Sequence, residues 1–237
     1  MIILAIDTTT QVCSVAVSDN ETIIIEYTQN IKKTHSQRLL PLIDCALKGA
    51  GFQPDNVDAV AVAAGPGSFT GVRIGVSTAR AFAQAMKIPA VGVCTLEALA
   101  QNIITATPSL VCPILDARRN EVYTAVYQGS SGNATTETIL SPSAIPLQQL
   151  IDIIAPRNET AYFPGDGLLK FTPRLREVLG NRFGHLPPYM ALNRASAVAA
   201  LAVRELEANN YLSELLPMYI RRPEAERLDI EKREGKN

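Results

Sequence analysis

A chain of 237 residues, 47% apolar and 19% charged, is long enough for one large domain or two lobes with ample core. The net charge of −1 argues against a broad electrostatic footprint for nucleic acid or membrane, and the absence of Trp weakens any base-stacking role. The four cysteines, Cys13, Cys45, Cys94 and Cys112, have no Cys-x-x-Cys spacing and read as reduced thiols. The first residues carry no cationic leader pattern and no run is long enough to span a bilayer, so a soluble cytoplasmic protein is expected.

Ile2–Asp7, Val12–Ser18 and Thr22–Thr28 read as three successive strands with polar turns between them. A helix is expected over Ser36–Ala50, with Leu39, Leu40, Ile43 and Leu47 on one stripe and Gly51 as its stop. Val57–Ala64 is a buried strand. It ends in Gly65-Pro66-Gly67, a turn from which Ser68 or Thr70 can cap a long helix running to Met86. Ile88–Val93 reads as a strand and Thr95–Ile104 as a helix.

At Leu110 the order begins again. Two strands fall in the segment from Pro113 to Tyr127, a third at Thr135–Ile139 and a helix at Leu147–Ala155. A strand at Ala161–Pro164 and a helix at Leu168–Leu179 follow, so both halves read β-β-β-α-β-α. Asp7 and Asp116 each precede an Ala-Val pair by nine residues, and Gly65-Pro66-Gly67 is echoed by Gly165-Asp166-Gly167. An internal duplication with a cleft between its halves is the reading these echoes support. An alanine-rich helix, Ala195–Ala208, comes next. The last 17 residues, from Arg221, carry 11 charges and read as a mobile tail. The resulting division is a first lobe over residues 1–104, a second over 105–220 and a tail over 221–237, with the helix near 195–209 a candidate to pack back on the first lobe.

Within the long helix, Gly71, Gly75 and Ala79 recur every four residues and share one face. Two helix-interior glycines cost up to about 1 kcal/mol each relative to Ala, so a close neighbour must offset them. That neighbour is either the chain's own sheet or a helix from another subunit.

The chemistry along the chain is sparse. The glycine turn lacks the Lys of a P-loop, the third Gly of a dinucleotide fingerprint and the spacing of a nucleophile elbow. Asp7 with Thr8 and Thr9 sits where acid phosphotransferases hold magnesium and phosphate, or else makes an ordinary Asx turn. Asp116 precedes Arg118 and Arg119, which suit either a phosphate clamp or a solvated hairpin end. Gly165, Asp166 and Gly167 suit a close backbone approach or a plain turn. His35 and His185 are far apart and form no metal-ligand pattern.

Taken together, Ile3-Leu-Ala-Ile-Asp-Thr-Thr-Thr, His35-Ser with Leu39-Leu-Pro, and Gly65-Pro-Gly-Ser-Phe-Thr-Gly-Val-Arg-Ile-Gly resemble the bacterial TsaB (YeaZ) family. Val91-Gly-Val-Cys-Thr-Leu-Glu-Ala-Leu, Asp116-Ala-Arg-Arg-Asn-Glu-Val-Tyr, Gly165-Asp-Gly and Met218-Tyr-Ile-Arg extend the resemblance over nearly the whole chain. It implies an α/β fold of the actin-like, ribonuclease H-like ATPase (ASKHA) type with two duplicated lobes. It further implies a catalytically silent partner of TsaD, the protein that transfers a threonylcarbamoyl group to tRNA adenosine. The modified adenosine lies next to the anticodon of tRNAs reading codons that begin with adenine. TsaE, an ATPase, joins the pair, and the isolated chain can self-associate. Contact with tRNA is then indirect, and no cofactor or metal is required by this chain; ATP or ADP and metal belong to the partners, with a nucleotide conceivable at the complex interface.

Carried onto this sequence, the resemblance makes Leu39, Ile43, Gly71, Gly75, Thr78, Ala79 and Phe82 the partner interface. A vestigial nucleotide or phosphate cleft would be formed by Asp7, Thr8, Thr9, Asp116, Arg118, Gly165, Asp166 and Gly167. The alternative is a stand-alone ATP-dependent phosphotransferase or hydrolase, or a metallopeptidase-like enzyme, built on Asp7 and Asp116.

Overall fold

The computed structural model describes residues 1–130, 133–208 and 215–221. The tail expected to be mobile lies, beyond Arg221, outside the described residues.

The first half forms a five-stranded sheet. Its strands are β1 (Ile2–Asp7), β2 (Cys13–Asp19), β3 (Thr22–Gln29), β4 (Ala59–Gly65) and β5 (Ala90–Cys94), in the order β3-β2-β1-β4-β5. The β1, β2 and β3 meander is antiparallel, whereas β4 and β5 run parallel to β1. Helices α1 (His35–Gly49) and α2 (Phe69–Met86) supply the crossovers. Ser68 caps α2, its Oγ accepting the Gly71 N–H at 3.3 Å. Lys87 ends α2 in the left-handed region (φ 59°), so β5 starts only after Pro89. Helix α3 (Thr95–Gln101) stops three residues short of the expected end.

The second half repeats this plan with one interruption. Strands β6 (Ser109–Val111) and β7 (Ile114–Asp116) both pair antiparallel with β8 (Glu121–Ser130). Val111 lies opposite Tyr127 and Ile114 opposite Thr124, so the register continues unbroken across residues 112 and 113. The two pieces are one strand, broken where Pro113 has no N–H to give to a ladder. On the far side of β8 lies β9 (Asn133–Pro146), longer than the expected third strand; β10 (Thr160–Tyr162) pairs parallel with β6. The order β9-β8-(β6, β7)-β10 therefore matches β3-β2-β1-β4. Even the fifth strand leaves a trace, a single parallel bridge between Ala161 and Phe183. Helices α4 (Leu147–Ile154) and α5 (Leu168–Leu179) complete the repeat. Both halves are therefore built on one duplicated plan.

Helix α6 (Ala195–Glu207) does not belong to the repeat. Its Ala195, Val198, Ala199 and Ala202 pack on the small-residue face of the first sheet, Ile3, Ala5, Ala61 and Ala63. The opposite face carries the larger Leu4, Ile6, Val60 and Val62, under α1 and α2. Small side chains on one face and larger ones on the other explain why β1 and β4 read as continuous apolar runs: both faces are covered. Helix α3 and the residues just after it lie between the halves, burying Leu96, Leu99 and Ile103 against Val111, Leu115 and Tyr127 of the second sheet.

Candidate functional site

The two strand-end carboxylates make the same local turn. Asp7 Oδ1 accepts the N–H of Thr9 at 2.8 Å, and Asp116 Oδ1 accepts the N–H of Arg118 at 2.9 Å. The glycines that end or follow the fourth strand of each repeat also match, with φ of 122° at Gly65 and 119° at Gly165. Only glycine adopts such values without strain, and a Cβ at either would lie 2.4 Å or less from a carbonyl oxygen, that of Met218 or of Ile114. The sequence echo is thus a structural one.

The environments of the two carboxylates differ. Asp7 is fully buried and spends its remaining capacity within the chain: Oδ1 also accepts Thr9 Oγ1 at 2.7 Å, and Oδ2 accepts Asn193 Nδ2 at 3.0 Å. Burial raises its pKa, and the Thr9 and Asn193 bonds offset that only in part. Thr8 is buried as well, its Oγ1 donating to the carbonyl of Gly71 at 2.7 Å. Asp116 is open and accepts Lys170 Nζ at 2.9 Å. Burial works against its charge, but Lys170 and the Arg118 N–H outweigh it and hold the pKa below the ordinary value. Asp166 Oδ1 accepts the N–H of Asp116 at 3.4 Å, and burial together with the neighbouring Asp116 charge raises its pKa.

A cleft of about 760 Å³ lies between the halves. Of the expected cleft residues, Thr9, Asp116, Arg118 and Asp166 line it, while Asp7, Thr8, Gly165 and Gly167 stand behind its wall as turn and packing residues. His35 lines it and His185 does not. His35 Nδ1 accepts from Arg38 Nη2 at 3.2 Å, which leaves Nε2–H to donate to the carbonyl of Thr10 at 2.7 Å. Desolvation lowers the His35 pKa. Among the described residues no three His, Cys, Asp or Glu side chains gather closely enough to hold a metal ion.

Sequence reading missed three contributors to this region. Asn193 comes from the loop before α6, 186 residues from Asp7, and nothing local marks it. Arg38 lies between the quoted His35-Ser and Leu39-Leu-Pro motifs, where a helical stripe count passes over a charged residue. The third is the segment from Leu215 to Arg221, whose Met218-Tyr-Ile-Arg carried part of the resemblance without a role. Leu215 is buried in the first core. Met218 N–H donates to Ala64 O at 2.6 Å, and the Tyr219 ring stacks on Phe69 at 5.5 Å. Arg73 sits 3.8 Å over the Phe69 ring and donates to Tyr219 Oη at 2.8 Å. Arg221 then pairs with Glu121 and donates to Ala117 O in the second half. This strap crosses from one lobe to the other along the cleft.

The expected partner interface needs correction. Leu39 and Ile43 are 1% and 5% exposed and belong to the first core, as does Ala79. A Cβ at Gly71 would lie 2.0 Å from Thr8 O, and one at Gly75 would lie 2.5 Å from Thr8 Oγ1. The small-residue groove of α2 is therefore filled by the β1–β2 turn of the chain itself, not by a partner helix. Thr78 and Phe82 are half-buried at the helix flank. The apolar and small residues that α1 and α2 present outward include Leu40 (65% exposed), Pro41 and Cys45 on the first, and Ala81 and Ala85 on the second, among the exposed polar Gln37, Asp44, Lys48, Ser77, Arg80 and Gln84.

The duplicated fold and its inter-lobe cleft define a class, and a family model carries it further: the model for TsaD, tRNA N6-adenosine threonylcarbamoyltransferase, matches residues 22–226. Within that class, the tRNA threonylcarbamoyladenosine biosynthesis protein TsaB of Bacillus subtilis is 34% identical over 231 residues, covering 98% of this chain and 99% of its own. The TsaB protein of Escherichia coli is 38% identical over 157 residues, 63% of this chain and 68% of its own. The solved structure of YeaZ from Pseudomonas aeruginosa superposes with a TM-score of 0.72 at 27% identity, over 92% of this chain and 99% of that one. The chain belongs to the TsaB family. No described helix is long and apolar enough to cross a membrane.

Proposed function

We propose that this protein is a non-catalytic partner in the formation of threonylcarbamoyladenosine in tRNA, pairing with a TsaD protein and supporting its transfer reaction, with TsaE joining the pair. The reading draws first on the end-to-end likeness to the Bacillus subtilis protein of that biosynthesis. The observation that carries the non-catalytic part is Asp7. A phosphotransferase that used this strand-end carboxylate would need it free to hold magnesium. Here both of its oxygens are engaged by Thr9 and Asn193 in a fully buried site. The stand-alone enzyme reading would have to break those bonds first.

The pairing surface in this reading is the outward face of α1 and α2, around Leu40, Pro41, Cys45, Ala81 and Ala85. An exposed Leu and Pro beside small residues suit a close helix-against-helix contact. The same face would serve a homodimer in the absence of TsaD, and the chain itself needs no cofactor or direct tRNA contact.

The test is in-vitro tRNA modification with TsaD, TsaE and the synthase that makes the threonylcarbamoyl adenylate, with and without this protein. Product only when it is present, with the protein alone inert towards ATP and tRNA, is the expected result. Equal product without it overturns the activator role. Leu40→Glu should abolish co-purification with TsaD while leaving the melting temperature unchanged; normal pairing by this variant would move the interface elsewhere.

A further inference from the structure

Two junctions join the lobes away from the cleft. One is the apolar contact of α3 and the residues just after it with the second sheet. The other is the loop before α6, held from both sides. Gly165 N–H donates to Ala191 O at 2.9 Å on the second lobe, and Asn193 donates to Asp7 on the first. The two junctions are neighbours, since Asn102 Nδ2 donates to Leu192 O at 2.9 Å. Neither α3 nor residues 191–193 line the cleft. Neighbouring junctions of this kind define a hinge and leave rotation about it free.

The strap supplies a third junction, on the cleft side. Met218, Tyr219, Ile220 and Arg221 all line the cleft. A junction off the hinge removes the rotation that the first two leave. The two ends of the strap are held unequally. On the first lobe, Leu215 is buried in the core and Met218 N–H donates to Ala64 O at 2.6 Å. The Met218 carbonyl sits where a Cβ at Gly65 would lie, 2.4 Å from it, so only the glycine leaves it room. Tyr219 stacks on Phe69, and Arg73 donates to its Oη. Towards the second lobe, Ile220 packs on the cluster between the lobes. Beyond it, the polar hold among the described residues is the Arg221–Glu121 pair and the Arg221 bond to Ala117 O at 3.3 Å. The Arg221 and Glu121 side chains are 22% and 30% exposed, so salt reaches the pair.

We propose that residues 215–221 form a clasp that fixes the opening of the cleft, anchored on the first lobe and releasable at Arg221. With the clasp shut the lobes move as one body. With Arg221 released they rotate about the α3 junction and the cleft widens. The clasp does not depend on the partner role, because Leu40, Pro41, Cys45, Ala81 and Ala85 make none of its contacts.

The experiment is a pulsed electron-resonance distance measurement on the full chain, with spin labels at Asp55→Cys on the first lobe and Leu169→Cys on the second. Both positions are exposed, and Cys45→Ser removes the exposed native thiol while the other three stay buried. Dilution with unlabelled chain restricts the signal to distances within one molecule. One narrow distribution is expected with the strap unaltered. Arg221→Gln and Glu121→Gln should each broaden it and shift it to longer distance, and Lys48→Gln on the outside of α1 should not. Salt at about 1 M, where the Debye length is about 3 Å, should act in the same direction as the two variants. Exchanging the charges, Arg221→Glu with Glu121→Arg, should narrow the distribution again, which loss of packing alone would not do. An unchanged distribution in both single variants overturns the clasp, since the α3 junction would then hold the lobes by itself. A charge-exchanged chain as broad as the single variants overturns release at this pair. The salt titration needs no substitution in the strap, so if the single variants misfold, an unchanged distribution at high salt overturns the proposal in their place.

Discussion

Asn193 donates from one nitrogen to both Asp7 Oδ2 (3.0 Å) and Thr9 Oγ1 (3.1 Å), closing a turn that begins the chain with a residue that comes near its end. Its Oδ1 in turn accepts Thr10 Oγ1 at 3.0 Å. Asn193→Ala leaves Asp7 Oδ2 buried and unpaired, which costs about 1–3 kcal/mol. Urea denaturation should register that loss, and an unchanged midpoint would show that water replaces the amide.

The raised pKa of Asp7 fixes a pH dependence. Between the ordinary value of 3.8 and the raised native value, the folded state holds a proton that the unfolded chain has released. Stability contributed by this group therefore falls as pH rises through that interval and levels off above the native value. Asp7→Asn cannot titrate. The stability of the natural chain relative to this variant should thus be greatest at low pH and decline on going to neutral pH. Unfolding curves for both proteins across that range check the sign; a difference that grows with pH contradicts the assigned environment.

Gly71→Ala and Gly75→Ala should damage the fold, not pairing as such. Each places a methyl group against Thr8, and overpacking of this kind costs about 1–3 kcal/mol. Both variants should melt lower even with no partner in solution.

The thiols sort by burial. Cys13, Cys94 and Cys112 are buried and Cys45 is exposed. Burial pushes the Cys13 and Cys94 thiols up to about 11, and that of Cys112 up as well. A maleimide should label Cys45 alone in the folded protein and all four after denaturation. Labelling of Cys45 should be suppressed by whatever covers the outer face of α1.

Helical spacing alone does not separate a core face from an interface face. Helical spacing groups Leu39 with Ile43, and Gly71 with Gly75 and Ala79, because those positions share a face. It does not say whether that face turns to the chain's own sheet or to another protein, since a core and an interface ask for the same chemistry. The outward residues, Leu40 and Cys45, are one and two positions away in register. Strand content was more legible: β4 is buried along its whole length and reads as an unbroken apolar run. The duplication could be read because its signals are local, a carboxylate at a strand end and a glycine at a turn. Asn193, Arg38 and the strap could not, because their partners lie far along the chain or are backbone carbonyls that no side-chain pattern marks.

The way α6 and Leu215 complete the first lobe bears on how this protein is made. The alanine face of the first sheet is covered by residues 195–207, and Leu215 closes the same lobe from the other face, against Gly92. On a ribosome these arrive only after the entire second lobe has been synthesised. The nascent first sheet must therefore wait with one face bare, and its β1 to β5 strands close late, through contacts of high sequence separation. A fragment ending near residue 104 would carry every strand of that sheet and still aggregate, and adding residues 195–215 in trans should rescue it.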